Sequence, residues 1–135
     1  MTLYSKDILR LSKESLSIET PSRITHSHRE SNPICGDRVE WQLHIADQKI
    51  AEVWCETKGC ALCKASSAVL YEGLIGSSTN QVYTRTVQFL QDVDALLAGE
   101  HATRDVALFS ALPTAPARQE CVLLPWKALL QAMKV

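Results

Sequence analysis

Residues 38–58 read RVEWQLHIADQKIAEVWCETK, two alternating segments joined by a short polar turn at residues 47–49. The apolar members of the first segment are Val39, Trp41, Leu43 and Ile45. In the second segment, Ala51, Val53 and Cys55 share one face and Glu52, Trp54 and Glu56 the other. Because successive side chains of a strand point to opposite faces, each segment predicts a half-buried β-strand. With the turn between them, the two strands predict an antiparallel hairpin.

Helical patterns flank this hairpin. Residues from Leu3 to about Ser17 predict an amphipathic helix, and the polar residues 19–33, with two prolines, predict a loop or an irregular edge strand. Downstream, the predicted helices are one from Ala61 stopped by Gly76, one over 81–98, a shorter one over 103–111, and a last one that starts near Pro125 in the favoured first-turn position. The order predicts an α+β fold, a small antiparallel β-sheet with helices packed on one face, as a single domain over 1–135.

Composition and charge exclude several classes of function. Hydrophobic residues make up 46% and charged residues 21% of the 135 positions, as in an ordinary globular domain. Lys and Arg total 14 against 15 Asp and Glu, with no basic stretch able to neutralise a run of phosphates, so no nucleic-acid partner is predicted. The N-terminal segment lacks the apolar core of a secretory signal, and no apolar run is long enough for a membrane helix. We predict a cytoplasmic protein with no membrane partner and with reduced thiols.

Three of the five cysteines lie at predicted element junctions. Cys35 and Asp37 precede the first strand of the hairpin, and Cys60 follows the second. The entry of one strand and the exit of the next lie at the same end of an antiparallel hairpin, so these side chains can converge. The loop TAPARQEC, residues 114–121, would deliver Cys121 to that end. Three thiolates and one carboxylate are enough for tetrahedral zinc or for a small iron–sulfur cluster.

The other thiols and the histidines have less specific patterns. Cys55 lies on the apolar face of its strand and is assigned to the core. Cys60 and Cys63 form a C-x-x-C pair, which leaves open a redox pair, an added ligand or simple packing for Cys63. The histidines, predicted to lie at the surface or on a polar strand face, are His26, His28, His44 and His101. Imidazole suits zinc and iron alike, so His26 or His28 also remains open as a stand-in metal ligand.

Three segments together resemble a known family. NPICGDRVEW (32–41), KGCALCKASSAVL (58–70) and PARQECVLLPWKAL (116–129) look like the three signature segments of the NifU/IscU N-terminal family of iron–sulfur cluster assembly scaffolds. The resemblance covers roughly residues 32–135. Within the family the chain is most similar to the SufU-like branch, because the interval from Cys60 to Cys121 is long and because Glu120 stands where the IscU branch has a histidine.

The resemblance implies specific roles. Cys35, Asp37, Cys60 and Cys121 would hold the metal or cluster, and Cys35 would accept persulfide sulfur from a SufS-like cysteine desulfurase. The site would hold zinc or a transient [2Fe-2S] cluster, and cluster acceptor proteins would be further partners. Arg118 matches a recurrent arginine of the branch, close to the site. A carboxylate is a weaker partner than a thiolate for iron–sulfide chemistry, so Asp37 would allow the cargo to leave.

One glycine and two arginines are also expected to serve this site. Gly36 would let the chain turn sharply, with a positive φ if needed, so that Cys35 and Asp37 point at one atom. Arg38 and Arg118 are candidate cations for stabilising a nucleophilic thiolate.

Three alternatives to a scaffold remain open. One is a zinc-dependent sulfurtransferase that does not build a cluster. Another is a structural zinc-binding interaction domain, which would unfold on chelation. The third is a thiol redox protein that uses Cys60 and Cys63, although this leaves the other two junction cysteines unexplained. A scaffold or carrier is favoured over a stand-alone enzyme.

Overall fold

The computed structural model describes residues 3–14, 16, 19–33, 36–100 and 105–134, which form a three-stranded antiparallel sheet and packed helices. The strands, in spatial order, are β1 (His26–Ser31), β2 (Arg38–Ala46) and β3 (Lys49–Lys58). The helices are α1 (Lys6–Ser12), α2 (Ala61–Tyr71), α3 (Thr79–Leu97) and α4 (Gln119–Met133). The predicted α+β class is confirmed. No helix in these ranges has both the length and the apolar character that a membrane-spanning segment requires.

The hairpin of β2 and β3 follows the predicted alternation over most of its length. Val39, Trp41 and Leu43 are each 0% exposed on the face of β2 that meets the helices. The turn residues Asp47 and Gln48 both have positive φ, 52° and 61°. Two such residues make the tight turn whose twist matches that of antiparallel strands. The hairpin therefore brings the start of β2 and the end of β3 to one end of the sheet.

A β-bulge changes the predicted face of one residue in β3. His44 pairs with Glu52 whereas the next residue, Ile45, pairs with Ile50, so Ala51 is the extra residue of the bulge. Ala51 is exposed, and its predicted position on the apolar face was wrong. A bulge shifts the alternation by one residue. Ile50 consequently takes the buried position, with 0% exposure.

The elements before and after the hairpin differ from the predictions mainly in their ends. Residues 26–31 form the edge strand β1, which was one of the two alternatives for this region. Helix α1 is shorter than the predicted span, with Ser5 as its N-cap; residues 15, 17 and 18 lie outside the described part. Helix α2 ends at Tyr71, because Glu72 leaves the helical conformation and Gly73 follows with a φ of 82°. The predicted stop at Gly76 was wrong.

Helix α4 begins at Gln119, so Pro125 lies inside the helix and its predicted position in the first turn was wrong. The true helix start is preceded by three short 3₁₀ turns, Ala107–Phe109, Leu112–Thr114 and Pro116–Arg118. Prolines occupy the first turn of the last two, which is where the first-turn preference acts. A 3₁₀ turn replaces the described part of the helix predicted over 103–111. The earlier start of α4 places Cys121 in the first turn of a helix instead of at the end of a loop.

Arg85 of α3 contacts the end of α2, helix α4 and Asp105. Its guanidinium donates hydrogen bonds to Asp105 at 3.0 and 3.3 Å. It also donates to three carbonyls at the end of α2, those of Val69, Leu70 and Glu72, at 2.8 to 3.2 Å. The same group lies 5.3 Å from the ring centre of Trp126 in α4. Arg85 therefore supplies hydrogen-bond donors to the carbonyls that the end of a helix leaves unpaired.

Candidate metal site

A tight loop presents Asp37 immediately before β2. The N–H of Gly36 donates to the Asn32 carbonyl at 2.8 Å, and the Asn32 N–H donates to the Asp37 carbonyl at 2.8 Å. Gly36 has a φ of 77°, which confirms the positive φ that the sequence suggested. Asp37 is only 2% exposed. Cys35 lies outside the described residues, so its role as a ligand stays a prediction.

Cys60 lies at the junction of β3 and α2, as predicted, and contacts Asp37 directly. It is the N-cap residue of α2, with extended backbone angles. Its N–H donates to Oδ1 of Asp37 at 3.0 Å, and its Sγ lies 3.5 Å from Oδ2 of the same carboxylate. One carboxylate therefore binds both the backbone and the thiol of Cys60.

Gly59 makes this contact possible, and the sequence analysis gave it no role at the site. A Cβ atom at Gly59 would lie 2.2 Å from Oδ1 and 2.6 Å from Cγ of Asp37. The backbone φ of 156° at Gly59 is also one that other residues rarely adopt. The signal that points to this role is the glycine directly before a candidate ligand.

Cys121 reaches the site from the first turn of α4 and is 2% exposed. Arg118 occupies the N-cap position of the same helix and is half-buried. A hydrogen bond to Cys121 raises the pKa of Arg118 above its ordinary value, and the negative charges that Tyr4, Cys121 and Cys60 can carry raise it further. Arg118 is therefore the cation next to both thiols.

Asp37, Cys60 and Cys121 form the group of potential metal ligands found among the described residues. One ligand atom from each of the three lies within 4.8 Å of those of the other two. In a tetrahedral zinc site with Zn–S bonds of about 2.3 Å, the sulfur atoms would lie about 3.8 Å apart. Two thiols and one carboxylate at these separations fit a single zinc ion, and the same donors suit an iron–sulfur cluster.

The remaining cysteines lie in the core. Cys55 is 7% exposed, and burial raises the pKa of its thiol to about 12. This confirms the assignment of Cys55 to packing. Cys63 is 0% exposed and belongs to the same apolar core. The metal-ligand group in the described ranges includes Cys60 without Cys63. None of the four described cysteines forms a disulfide.

Arg38 and the described histidines are placed outside this group. Arg38 opens β2, where it pairs with Ser31 and Lys58, and it is half-buried. His26 and His28 lie on the edge strand, and His28 is 2.5 Å from the carboxylate of Glu30. His44 lies 3.1 Å from a carboxylate oxygen of Glu52. One ring nitrogen of His28 and one of His44 thus lie close to a carboxylate, and the candidate metal-ligand group in the described ranges includes no histidine. His101 lies outside the described residues.

Comparison with known proteins finds relatives named IscU and SufU. The chain is 27% identical over 107 residues to the iron-sulfur cluster assembly scaffold protein IscU of Thermotoga maritima, a match covering 76% of this chain and 72% of that protein. It is 25% identical over 105 residues to the zinc-dependent sulfurtransferase SufU of Bacillus subtilis strain 168, covering 73% of this chain and 68% of that protein.

Solved structures agree with the architecture described above. A crystal structure from Fervidobacterium islandicum AW-1, described as a scaffold protein for iron–sulfur cluster assembly in the SUF system, superposes with a TM-score of 0.79 at 28% identity and covers 98% of this chain and 97% of its own. The N-terminal part of a NifU-like protein from Brucella abortus superposes with a TM-score of 0.83 over 97% of this chain and 92% of its own, and at 22% identity it supports the fold alone.

A family model covers nearly the whole chain. The model described as NifU-like N terminal domain matches residues 17–134 and so extends upstream of the segments from which the resemblance was first drawn. The spacing of the three ligand-bearing junctions, the three-stranded sheet and this match lead to one conclusion: the chain belongs to the NifU-like N-terminal domain family.

Proposed function

We propose that this protein is a scaffold for iron–sulfur cluster assembly that also accepts sulfur from a cysteine desulfurase. Its ligands are Cys35, Asp37, Cys60 and Cys121. The observation that supports this function is the convergence of Asp37, Cys60 and Cys121, whose ligand atoms lie within 4.8 Å of one another. The relatives named above indicate that the cargo is an iron–sulfur cluster.

Cys35 is the proposed sulfur acceptor. Its thiolate attacks the outer sulfur of a persulfide on the desulfurase. A sulfur–sulfur bond forms to Cys35, the corresponding bond in the donor breaks, and the desulfurase cysteine leaves as a thiolate. This exchange consumes no oxidant or reductant. Assembly of a [2Fe-2S] cluster afterwards takes ferrous iron and an electron donor that reduces the bound sulfur to sulfide, so both are further substrates.

The described residues have separate roles in this proposal. Cys60 and Cys121 provide thiolate ligands, and Arg118 stabilises their negative charge through its hydrogen bond to Cys121. Asp37 provides the hard and more weakly held oxygen ligand, which favours release of the cluster to an acceptor protein. Where zinc is bound, Cys35, Asp37, Cys60 and Cys121 would hold it, and it would supply the positive charge that keeps the thiols deprotonated.

A second candidate is a zinc-dependent sulfurtransferase that builds no cluster. The similarity to SufU of Bacillus subtilis favours this candidate, as does Glu120 directly before Cys121. Both candidates use Cys35 to accept sulfur, and they differ in what happens to the sulfur afterwards. A purely structural zinc domain is less well supported, because Trp41, Trp126 and Phe89 are each at most 1% exposed in one apolar core, and a chain of this length buries such a core without needing a metal to hold it together.

The protein partners and the cellular location are further parts of this proposal. A SufS-like cysteine desulfurase would supply the sulfur, and cluster acceptor proteins would receive the product. A cytoplasmic location is proposed because the site uses thiols that are not in disulfides, a state that a reducing compartment preserves.

Metal analysis of ligand variants tests the site. The protein is purified without chelator and its zinc, iron and sulfide are measured, together with the same quantities in Cys35→Ser, Asp37→Ala, Cys60→Ser and Cys121→Ser. We expect about one zinc ion or a labile iron–sulfide chromophore per chain, lost from the cysteine variants. Cys55→Ser is the matched control, because Cys55 is a buried thiol outside the site. A wild-type protein that folds but binds neither zinc nor iron sulfide would contradict the proposal.

A reconstitution assay separates the two candidates. The protein is incubated with a cysteine desulfurase, cysteine, ferrous iron and a reductant, and the visible absorption of a [2Fe-2S] cluster is followed. A scaffold gains the chromophore, and Cys121→Ser does not. A sulfurtransferase gains no chromophore in this mixture, although in a parallel incubation with the desulfurase and cysteine alone, without iron or reductant, it gains a persulfide on Cys35 that mass spectrometry detects.

A further inference from the structure

Three buried hydrogen bonds attach α4 to the elements that carry the other ligands. The indole N–H of Trp41 in β2 donates to the Pro125 carbonyl of α4 at 3.0 Å. The hydroxyl of Ser66 in α2 donates to the Val122 carbonyl of α4 at 2.5 Å, and it accepts from the indole N–H of Trp126 at 2.9 Å. The side chains that make these bonds, Trp41, Ser66 and Trp126, are each 0% exposed.

The position of Cys121 depends on these contacts of α4, whereas the positions of Asp37 and Cys60 do not. Asp37 directly precedes β2, and Cys60 joins β3 to α2, so the hairpin itself brings these two residues together. Cys121 comes much later in the sequence, after α3 and three 3₁₀ turns. Its location relative to Cys60 is therefore fixed by the packing of α4, and Val122, the residue that Ser66 contacts, is its immediate neighbour.

Ser66 uses its hydroxyl in an unusual way for a helical serine. Serine side chains within helices commonly return a hydrogen bond to the carbonyl four residues earlier. Ser67 does so, donating to the Cys63 carbonyl at 3.1 Å, and it also bonds Thr57 of β3 at 2.7 Å. Ser66 instead donates to a carbonyl of another helix, directly behind the first turn that holds Cys121.

We propose that Ser66 is a positioning residue of the metal site, which holds the first turn of α4 so that the thiol of Cys121 meets those of its partner ligands. The inference rests on the proposed function of the site. Without the hydroxyl, the link between α2 and the Val122 carbonyl is lost, and the indole N–H of Trp126 loses its acceptor. The first turn of α4 then moves relative to Cys60, while the hairpin of β2 and β3 that holds Cys60 near Asp37 is unaffected.

Ser66→Ala and Ser67→Ala form a matched pair for the test. Both serines are 0% exposed in α2, and each hydroxyl makes two hydrogen bonds. They differ in direction, since Ser66 reaches α4 and Ser67 reaches β3. Zinc affinity is measured by competition with a chromophoric chelator, urea denaturation of the metal-free protein measures stability, and the absorption of bound Co²⁺ reports the ligand geometry.

We expect a similar loss of stability in both variants but a loss of zinc affinity of about tenfold only in Ser66→Ala, in the range found when groups that orient metal ligands are removed. The Co²⁺ spectrum should change in Ser66→Ala alone. If Ser66→Ala does not fold, Trp126→Phe tests the same link, because it removes the indole N–H that donates to Ser66 while keeping an aromatic ring. Zinc binding should also be weaker in Trp126→Phe than in Ser67→Ala.

Two outcomes would overturn the inference and are distinguishable. Equal zinc affinities in Ser66→Ala, Ser67→Ala and the wild type would refute the role of Ser66 and leave the proposed function intact. A wild-type protein without zinc or cobalt affinity would refute the proposed site, and the role of Ser66 with it.

Discussion

Gly59→Ala is the substitution that tests most sharply how the backbone sets the metal site. The added Cβ would lie 2.2 Å from Oδ1 and 2.6 Å from Cγ of Asp37, so the carboxylate must rotate away. The hydrogen bond from the Cys60 N–H to Oδ1, 3.0 Å long, is then lost. A hydrogen bond to a charged group contributes about 1.5–3 kcal/mol, and a residue held in a disfavoured backbone region costs about 1–3 kcal/mol. We expect the free energy of unfolding to fall by about 3 kcal/mol in total.

Urea denaturation of the metal-free protein and zinc competition measure the two consequences of Gly59→Ala. Zinc affinity should fall because the displaced carboxylate is itself a proposed ligand. Gly73→Ala is the control: its φ of 82° imposes the same kind of strain, but nothing lies within 4 Å of the added atom. It should cost about 1 kcal/mol and leave zinc binding unchanged. If the two variants lose equal stability and both bind zinc normally, the proposed steric role of Gly59 is wrong.

Three further predictions concern single side chains. Arg85→Ala should lower the free energy of unfolding by about 3 kcal/mol in urea, because the ion pair with Asp105 and the bonds to the end of α2 are lost together; a loss below about 1 kcal/mol would contradict this. Burial raises the pKa of the Cys55 thiol from 9.0 to about 12, so above about pH 9 the unfolded chain loses this proton while the folded chain keeps it, and the free energy of unfolding falls as pH rises. The difference in unfolding free energy between wild type and Cys55→Ala should therefore change between about pH 8 and about pH 10, and a constant difference would argue against this. Arg118→Ala should slow alkylation of Cys60 and Cys121 several-fold in the metal-free protein, Arg118→Lys should recover part of the rate, and equal rates in all three proteins would remove Arg118 from the site.

The fold could be predicted where a local pattern determines it. The alternation along β2 is enough to identify the buried face, and the three buried residues of that strand lie where the sequence places them. The bulge at Ala51 could not be predicted, because it depends on the pairing of β3 with β2 and not on the alternation of either strand. The start of α4 was misplaced because a proline preference was applied to Pro125, while the prolines that follow the preference open the 3₁₀ turns upstream.

The candidate site was predictable to the extent that topology determines it. A hairpin places Asp37 and Cys60 at one end of a sheet whatever the details of packing, and the two side chains are in contact. The role of Gly59 depends on a distance between a backbone position and a carboxylate, and the role of Ser66 depends on which helix lies opposite it. The spacing of residues along the sequence indicates neither of these contacts, so both roles became visible only in the three-dimensional structure.

The two thiols of the candidate site lie where α2 and α4 begin, Cys60 as an N-cap and Cys121 in a first turn. The peptide dipoles of a helix leave a partial positive charge at this end, and it falls off within about one turn. Two such fields meet at the site in a chain whose net charge is only -1. The negative charge of the two thiolate ligands can therefore be stabilised by the backbone in addition to Arg118, without a basic surface. Because salt screens buried interactions much less than exposed ones, retention of the cargo should depend little on ionic strength.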